Sequence, residues 1–573
     1  MIIIFGGTTE GRKAVEVLEV AGKPFYYSTK TGEQSLALHN GIAIDGAMDE
    51  EIMLHFCREH GIRLIIDSAH PFAVHLHETV ASVAEALQLP LIRYDRIYPP
   101  RDSDITWIDD YSQVPTDIHS LLATTGVQSI NKLKYLEAKG IKVFYRILKR
   151  DSSIAQAKAQ GADDSQLCFY EDGSTIDVDT DAILLKESGE SGGFSEKVKA
   201  ARDKGMRIIA LKRPDIQTGY CVNGPHGLRR MVEILLPGYF PLKSGLTTGT
   251  CATAAVTAAL LSLQGEEEDA VWVQLPDGES VLVDIERVGE GEATVVKDFS
   301  DDPDVTRGCR IKAKVETHPR PLSSGREGAI RFLQGEGVGR VTLPGLGIPV
   351  GEPAINPVPR QMMTAAVRAL TDDDVDITIS VENGRELAQR TFNERVGVVD
   401  GISIIGTSGI VQPLSNEAFI ESIGREMEVA RALGCTAIGL ASGKRGEEAL
   451  LAQEPSLRVI HYGNFIGASL EKACDLGFQR VVLGIMIGKA VKLAEGHLDT
   501  HSHKVLMNKS FLAQVSAEVG IVDAESHLNR ITMARELWDL MPPAFFERIH
   551  ELCLQHCRRL FPKGEMEIEL LKH

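Results

Sequence analysis

Several short segments of this 573-residue sequence combine residue types that can hold a charged ligand. The first is Gly6, Gly7, Thr8, Thr9, Glu10 and Gly11, which follows the apolar run 1–5 and precedes a helical pattern set by Ala14, Val15 and Leu18. Glycines at a strand-to-helix turn admit close backbone approach, and the first amides of the helix can hold a phosphate. The spacing is not G-x-G-x-x-G, so the turn alone leaves a plain chain reversal open beside a nucleotide site. At the end of the next predicted strand, 25–27, Ser28, Thr29 and Lys30 stand where an acidic residue would accept the ribose hydroxyls of NAD. Hydroxyls and a lysine suit a 2′-phosphate, which favours NADPH over NADH.

A second segment, residues 67–72 (DSAHPF), ends the apolar run 64–66, and a third, residues 186–193 (KESGESGG), ends the run 183–185. His70 is a candidate proton donor or carboxylate contact, with capping of the following helix as the alternative. Lys186, with Ser188, Gly189, Gly192 and Gly193 and the amides between them, can surround an anion, or the segment is a plain loop. His70 and Lys186 are the candidate catalytic groups.

Further along, Thr247, Thr248, Gly249 and Thr250 open a small-residue helix. Hydroxyls there cap free amides, and the helix dipole favours an anion such as a substrate carboxylate. Alternatively, small residues simply let the helix pack tightly, and Cys251 is then an inert buried thiol. Gly401, Gly406 and Gly409, with Thr407 and Ser408, follow an apolar strand and would admit a nucleoside ligand such as S-adenosylmethionine. The run Asp301, Asp302, Asp304 reads as a cation site or as a solvated loop. His497, Asp499, His501 and His503 alternate; on a strand they would face one side and mimic a metal site, which makes a metal-dependent hydrolase the rival reading. No H-E-x-x-H helix or cysteine cluster accompanies them, so no protein-bound metal is assigned.

Such turns must be held by alternating strands and helices. The rhythm of apolar runs and helical segments over residues 1–235 predicts a Rossmann-like α/β unit with parallel sheets. The Pro/Gly-rich text near 236–245 marks a boundary. We therefore expect domains 1–240 and 241–573, the second an α+β subdomain (241–395) followed by an α/β Rossmann-like subdomain (396–573). A net charge of −19, from 61 basic and 80 acidic residues, argues against nucleic acid as a partner. Nine scattered cysteines and no signal-like start suit a reducing cytoplasm. The uncharged stretch 244–264 is long enough to span a membrane but too polar in its first half, so no membrane is expected.

Taken together, residues 2–12 (with GGTTEGR), 68–72 (SAHPF) and 186–193 resemble precorrin-6A reductases over roughly residues 1–235. SGLTTGTCATAA, VVKDFSDDPDVT, GEGVGRVTLPGLGIPVGEPAINPVPR, TFNERVGVVDGISIIGTSGIV and KLAEGHLDTHS resemble cobalt-precorrin-5B C1-methyltransferases from about residue 242 to beyond 510. The resemblance implies a bifunctional enzyme of corrin-ring biosynthesis. Its C-terminal half would methylate C1 with S-adenosylmethionine, and its N-terminal half would reduce the product with NADPH or NADH. The substrate is then a tetrapyrrole that itself carries the cobalt. His501 and Ser502 match the family's T-H-S element and become substrate contacts. Still open are a chain in which only the methyltransferase half is active, a non-catalytic tetrapyrrole carrier, and the presence or absence of a homo-oligomer.

Overall fold

The computed structural model describes all residues except 31–35, 171–177, 217–218, 299, 303, 319–327, 413–415, 502–506, 522–527, 529–530, 532 and 573. The chain divides into two compact units, Met1–Lys243 with Trp272–Leu282, and Ser244–Val271 with Val283–His573.

The first unit holds two six-stranded sheets, and every pairing within them is parallel. The first sheet uses β1 (Ile2–Phe5), β2 (Phe25–Thr29), β3 (Gly41–Asp45), β4 (Leu64–Asp67) and β5 (Leu91–Asp95). The second uses β6 (Thr106–Ile108), β7 (Ser120–Ala123), β8 (Lys142–Leu148), β9 (Leu167–Tyr170), β10 (Ala182–Lys186) and β11 (Arg207–Leu211), after which β12 (Tyr220–Asn223) returns to the first. The orders are β12-β5-β4-β1-β2-β3 and β6-β11-β10-β7-β8-β9. Helices cover both faces, which is why β1, β4 and β10 are near-continuous Ile/Leu runs rather than alternating ones.

In each sheet the connections reverse direction at one point, and ligands bind at such points in open parallel sheets. In the first sheet that point lies between β1 and β4, whose carboxyl ends lead into residues 6–11 and 68–72. In the second it lies between β7 and β10, which lead into residues 124–129 and 187–193. The helices that follow are α1 (Thr9–Glu19), α3 (Val74–Leu87), α4 (Ile130–Ala138) and α6 (Phe194–Asp203), while α2 (Glu50–Glu59) leads from β3 to β4 and α5 (Asp151–Ala159) from β8 to β9. The unit closes with α7 (Gly224–Leu235), whose first amides are capped by a hairpin: Glu279 Oε2 accepts from the His226 N–H at 2.8 Å.

The second unit begins with a short strand, β13 (Gly245–Leu246), and α8 (Thr248–Leu263), an Ala/Thr-rich helix buried on most of its surface. It lies on a mixed five-stranded sheet whose long strands Arg310–His318 and Asp374–Val381 alternate buried and exposed residues, one face toward the helix. Residues 398–411 pair back into this part: Val398–Val399 with Arg340–Val341, and Ile410–Val411 with β13. The last part is a parallel four-stranded sheet of Ala437–Ala441, Val459–His461, Arg480–Met486 and Glu565–Leu571, with Ala437–Ala441 and Arg480–Met486 in its centre. Among the described residues no helix is long and apolar enough to cross a membrane.

Candidate functional site

The turn after β1 is built as a close-approach site. Thr8 caps α1, its Oγ1 accepting from the Gly11 N–H at 3.0 Å and donating to the Ser68 carbonyl at 2.6 Å, so the turns after β1 and β4 are stitched together. A Cβ on Gly6 would stand 2.3 Å from the Tyr27 ring, and one on Gly11 would stand 2.9 Å from Gly6 Cα. Gly7 adopts φ +88°, donates its N–H to the Tyr27 hydroxyl, and faces open space. Thr9 begins the helix, with its amide at the N-terminal end of the dipole. Glu10, expected at the cofactor, is instead occupied: its carboxylate accepts from Arg96 Nε at 3.0 Å and from the Ser191 hydroxyl. At the end of β2, Ser28 is buried, Thr29 donates to Asp45 at 3.1 Å, and Lys30 is exposed.

The 68–72 turn is fixed by a buried network. His77 from α3 meets Asp67 Oδ2 at 2.5 Å through Nδ1 and the His70 carbonyl at 3.0 Å through Nε2. Arg93 donates to Asp67 and to the Ala69 carbonyl. Burial alone would raise Asp67, but the His77 hydrogen bond and the Arg93 charge hold it below the usual carboxylate range. His70 accepts from the Phe72 N–H through Nδ1, and burial, aided by the Arg96, Lys186 and Arg93 charges, pushes its pKa down to about 3. With that shift the unliganded imidazole is neutral near pH 7.

The 187–193 loop is not the open anion nest its composition suggests. Gly189 (φ +69°) and Gly192 sit where a Cβ would stand 2.9 Å and 2.6 Å from Arg96 atoms. The amides of Glu190, Gly192, Gly193 and Phe194 are all spent on carbonyls of Ile97, Gly189 or Glu190. Arg96 Nη1 donates to the Ser188 carbonyl at 2.7 Å, so one guanidinium joins this loop to Glu10 of the turn after β1. Glu187 is buried but held ionised by Arg101 and Arg213. Lys186 is half-buried at the end of β10, while Glu190 and Ser191 are the exposed residues of the segment. Lys186 lies over the Phe72 ring at 4.9 Å, and burial followed by the Lys132 charge lowers its pKa.

A cavity of about 700 Å³ opens there, at the carboxyl edge of the second sheet. Phe72 and Val74 reach it from the first sheet's turn, while Lys186, Arg213, Tyr111 and Lys132 come from the second sheet's strand ends and α4. Lys132 lies in no sequence motif; the reversal point between β7 and β10 singles it out.

In the second unit, Thr247, Thr248, Gly249 and Thr250 brace the 401–411 segment rather than face a ligand. Thr250 Oγ1 donates to the Gly409 carbonyl at 2.6 Å, the Thr247 N–H donates to the same carbonyl at 3.1 Å, and the Gly249 N–H donates to the Ile405 carbonyl at 2.9 Å. All three threonines are buried. Thr247 does cap α8, accepting from the Thr250 N–H. The glycines answer to this packing: a Cβ on Gly401 would stand 2.3 Å from the Gly337 carbonyl oxygen, and one on Gly406 2.2 Å from Thr247 Oγ1. Gly409 adopts φ +82°, and the Thr407 hydroxyl donates to Glu421. Asp304 is paired with the buried Lys297 at 2.6 Å, a structural ion pair.

At the carboxyl edge of the four-stranded sheet, Ser442 and Gly443 follow Ala437–Ala441, and Ile487, Gly488 and Lys489 follow Arg480–Met486. Lys489 donates to the Gly463 carbonyl beside the Tyr462 ring, and burial, with help from Lys492, pushes its pKa down to about 8. The turn before His501 is tied to the same edge, since the Thr500 N–H donates to the Asn464 carbonyl at 3.0 Å. Ser502 and His503 fall outside the described residues. Among the described residues His497, Asp499 and His501 do not converge as ligands; the grouping that does is His226, Asp277 and Glu279, which caps α7.

Residues 1–231 match the family model described as precorrin-6x reductase CbiJ/CobK, and residues 238–413 match the model described as CbiD. A cobalt-precorrin-5B C(1)-methyltransferase of Prosthecochloris aestuarii is 43% identical over 349 residues, 58% of this chain and 94% of that relative. One from Burkholderia cenocepacia is 45% identical over 296 residues, 50% of this chain and 80% of that relative. A solved structure described as CobK precorrin-6A reductase aligns at 16% identity and a TM-score of 0.35, covering 41% of this chain and 96% of that one. The class so defined is a bifunctional enzyme of corrin-ring biosynthesis, an oxidoreductase joined to a methyltransferase. The chain belongs to the cobalt-precorrin-5B C1-methyltransferase family and carries a precorrin-6x reductase unit ahead of it.

Proposed function

We propose that the second unit converts cobalt-precorrin-5B to cobalt-precorrin-6A and that the first reduces this product to cobalt-precorrin-6B. The observation that carries the reductase assignment is the shared turn. Residues 68–72 are stitched to the Gly6–Gly11 turn through Thr8 and also supply Phe72 to the second sheet's cavity. A nicotinamide nucleotide bound on the first sheet supplies the reducing equivalent to the macrocycle. The chain's own part is to hold the ring in the cavity and align it, since orientation alone accounts for much of such a barrier. Of the two candidate catalytic groups read from the sequence, Lys186 is the one that lines the cavity, and neutral His70 fixes the turn. Lys30, exposed at the end of β2, is the cation for a 2′-phosphate, which favours NADPH.

For methyl transfer we place the donor at the carboxyl edge of the four-stranded sheet, between the segments 442–446 and 487–489, instead of at Gly401–Gly409. Support comes from the reversal of connections there and from the commitment of the 401–409 glycines to packing. S-adenosylmethionine supplies the methyl group, and Lys489 offers an ammonium for its carboxylate. His501, in the turn tied to Asn464 through Thr500, is the candidate contact for the macrocycle. Anaerobic incubation with cobalt-precorrin-5B, S-adenosylmethionine and NADPH, read by mass spectrometry, is the test. A gain of one methyl and two hydrogens is expected; a gain of neither sinks the proposal.

A further inference from the structure

Five cationic side chains line the cavity of the first unit: Arg101, Lys132, Lys186, Lys212 and Arg213. Three are already ion-paired, though with two carboxylates between them. Arg101 and Arg213 both bind Glu187, at 2.9 and 2.8 Å, and Lys212 binds Asp109 at 3.0 Å. Lys132 and Lys186 are different: among the described residues neither forms an ion pair with a carboxylate. Each is seated on an aromatic face instead, Lys186 over Phe72 at 4.9 Å and Lys132 over Tyr111 at 5.2 Å. Asp110 also lines the cavity; its carboxylate accepts from the Ser112 N–H at 2.9 Å, and hydrogen bonding from Ser112, with a smaller contribution from the Lys132 charge, holds it below the usual carboxylate range without a direct ion pair to Lys132.

Two like charges facing one cavity repel, and after burial it is the Lys132 charge that lowers the affinity of Lys186 for its proton. An oxyanion between them would relieve that repulsion and gain charge-assisted hydrogen bonds. We propose that Lys132 and Lys186 form a subsite for one carboxylate arm of the macrocycle, so that they set its position over the second sheet. This rests on the reading that the cavity takes the macrocycle. A nucleotide phosphate has the same oxyanion chemistry, but the turn suited to it lies on the other sheet.

The test compares Lys132→Met, Lys132→Arg and Lys186→Met in the full chain. Binding of cobalt-precorrin-6A is followed by its absorbance and binding of NADPH by its fluorescence, with thermal melting alongside. Loss of one charged hydrogen bond predicts macrocycle binding weakened about tenfold or more in each Met variant. Lys132→Arg stays within about threefold of wild type, and NADPH binding is unchanged. Because removing either lysine relieves repulsion, melting temperatures hold or rise, which a structural role would not give. Unchanged macrocycle binding overturns the subsite while leaving the reductase reading in place. NADPH binding weakened as much as macrocycle binding assigns the pair to the nucleotide and also overturns it. A wild-type chain that binds no macrocycle overturns both.

Discussion

Glu10 and Arg96 form a buried ion pair, 3.0 Å from Oε2 to Nε, with each side chain only 6% exposed. One partner belongs to the turn after β1, and the other holds the Ser188 carbonyl, so the pair ties together turns from two sheet edges. Glu10→Ala strands a guanidinium in the interior and should cost about 3–5 kcal/mol. Urea unfolding of the full chain measures this. Glu10→Gln keeps the shape and should cost less, while still lowering reductase turnover more than it weakens NADPH binding. Equal loss of both would return Glu10 to the cofactor.

Asp67 makes a pH-dependent contribution with a definite sign. Its folded pKa lies below that of the unfolded chain, so the stabilisation is fully present above the ordinary carboxylate value of about 3.9. It is lost as pH falls through the lower folded value. Asp67→Asn should therefore unfold more easily at pH 7, and its stability should fall less steeply than wild type below about pH 4. Parallel slopes in acid would contradict the buried His77–Asp67–Arg93 network.

Two glycines of the second unit separate packing from ligand space. Gly406 adopts φ +148° against Thr247, so Gly406→Ala should destabilise by about 1–3 kcal/mol. Gly443 is extended, and a Cβ there would meet nothing within 4 Å, so Gly443→Leu should leave the melting temperature unchanged. If the methyl donor lies at that edge, the same change should raise the KM for S-adenosylmethionine about tenfold. Normal kinetics in Gly443→Leu would move the donor site elsewhere.

Lys30→Ala should raise the KM for NADPH about tenfold, the worth of one charge-assisted contact, and leave that for NADH untouched. Steady-state kinetics with the two nucleotides decides between them.

Strand-end turns are legible in the sequence because an apolar run followed by glycines and hydroxyls has few other foldings. What those glycines make room for is not. At Gly401 and Gly406 the close neighbour is the chain itself, at Gly6 it is Tyr27, and at Gly443 it is empty space; all read alike as small residues after a strand. Thr247 is legible as a helix cap, but the segment it braces lies far along the chain. Lys132 carries no signal, because a lone lysine on an amphipathic helix is ordinary; its meaning comes from which strands become neighbours. The role of Glu10 is hidden for a related reason: nothing near it in sequence announces Arg96.

The hairpin that caps α7 also bears on how the fusion can be taken apart. The segment Trp272–Leu282 folds with Met1–Lys243, yet it is encoded beyond the boundary and inside the stretch matched by the CbiD model. A gene truncated near codon 243 would lose the carboxylate that holds the first turn of α7. Dissection of the two activities is therefore better done by point substitutions in the intact chain than by cutting it near residue 243.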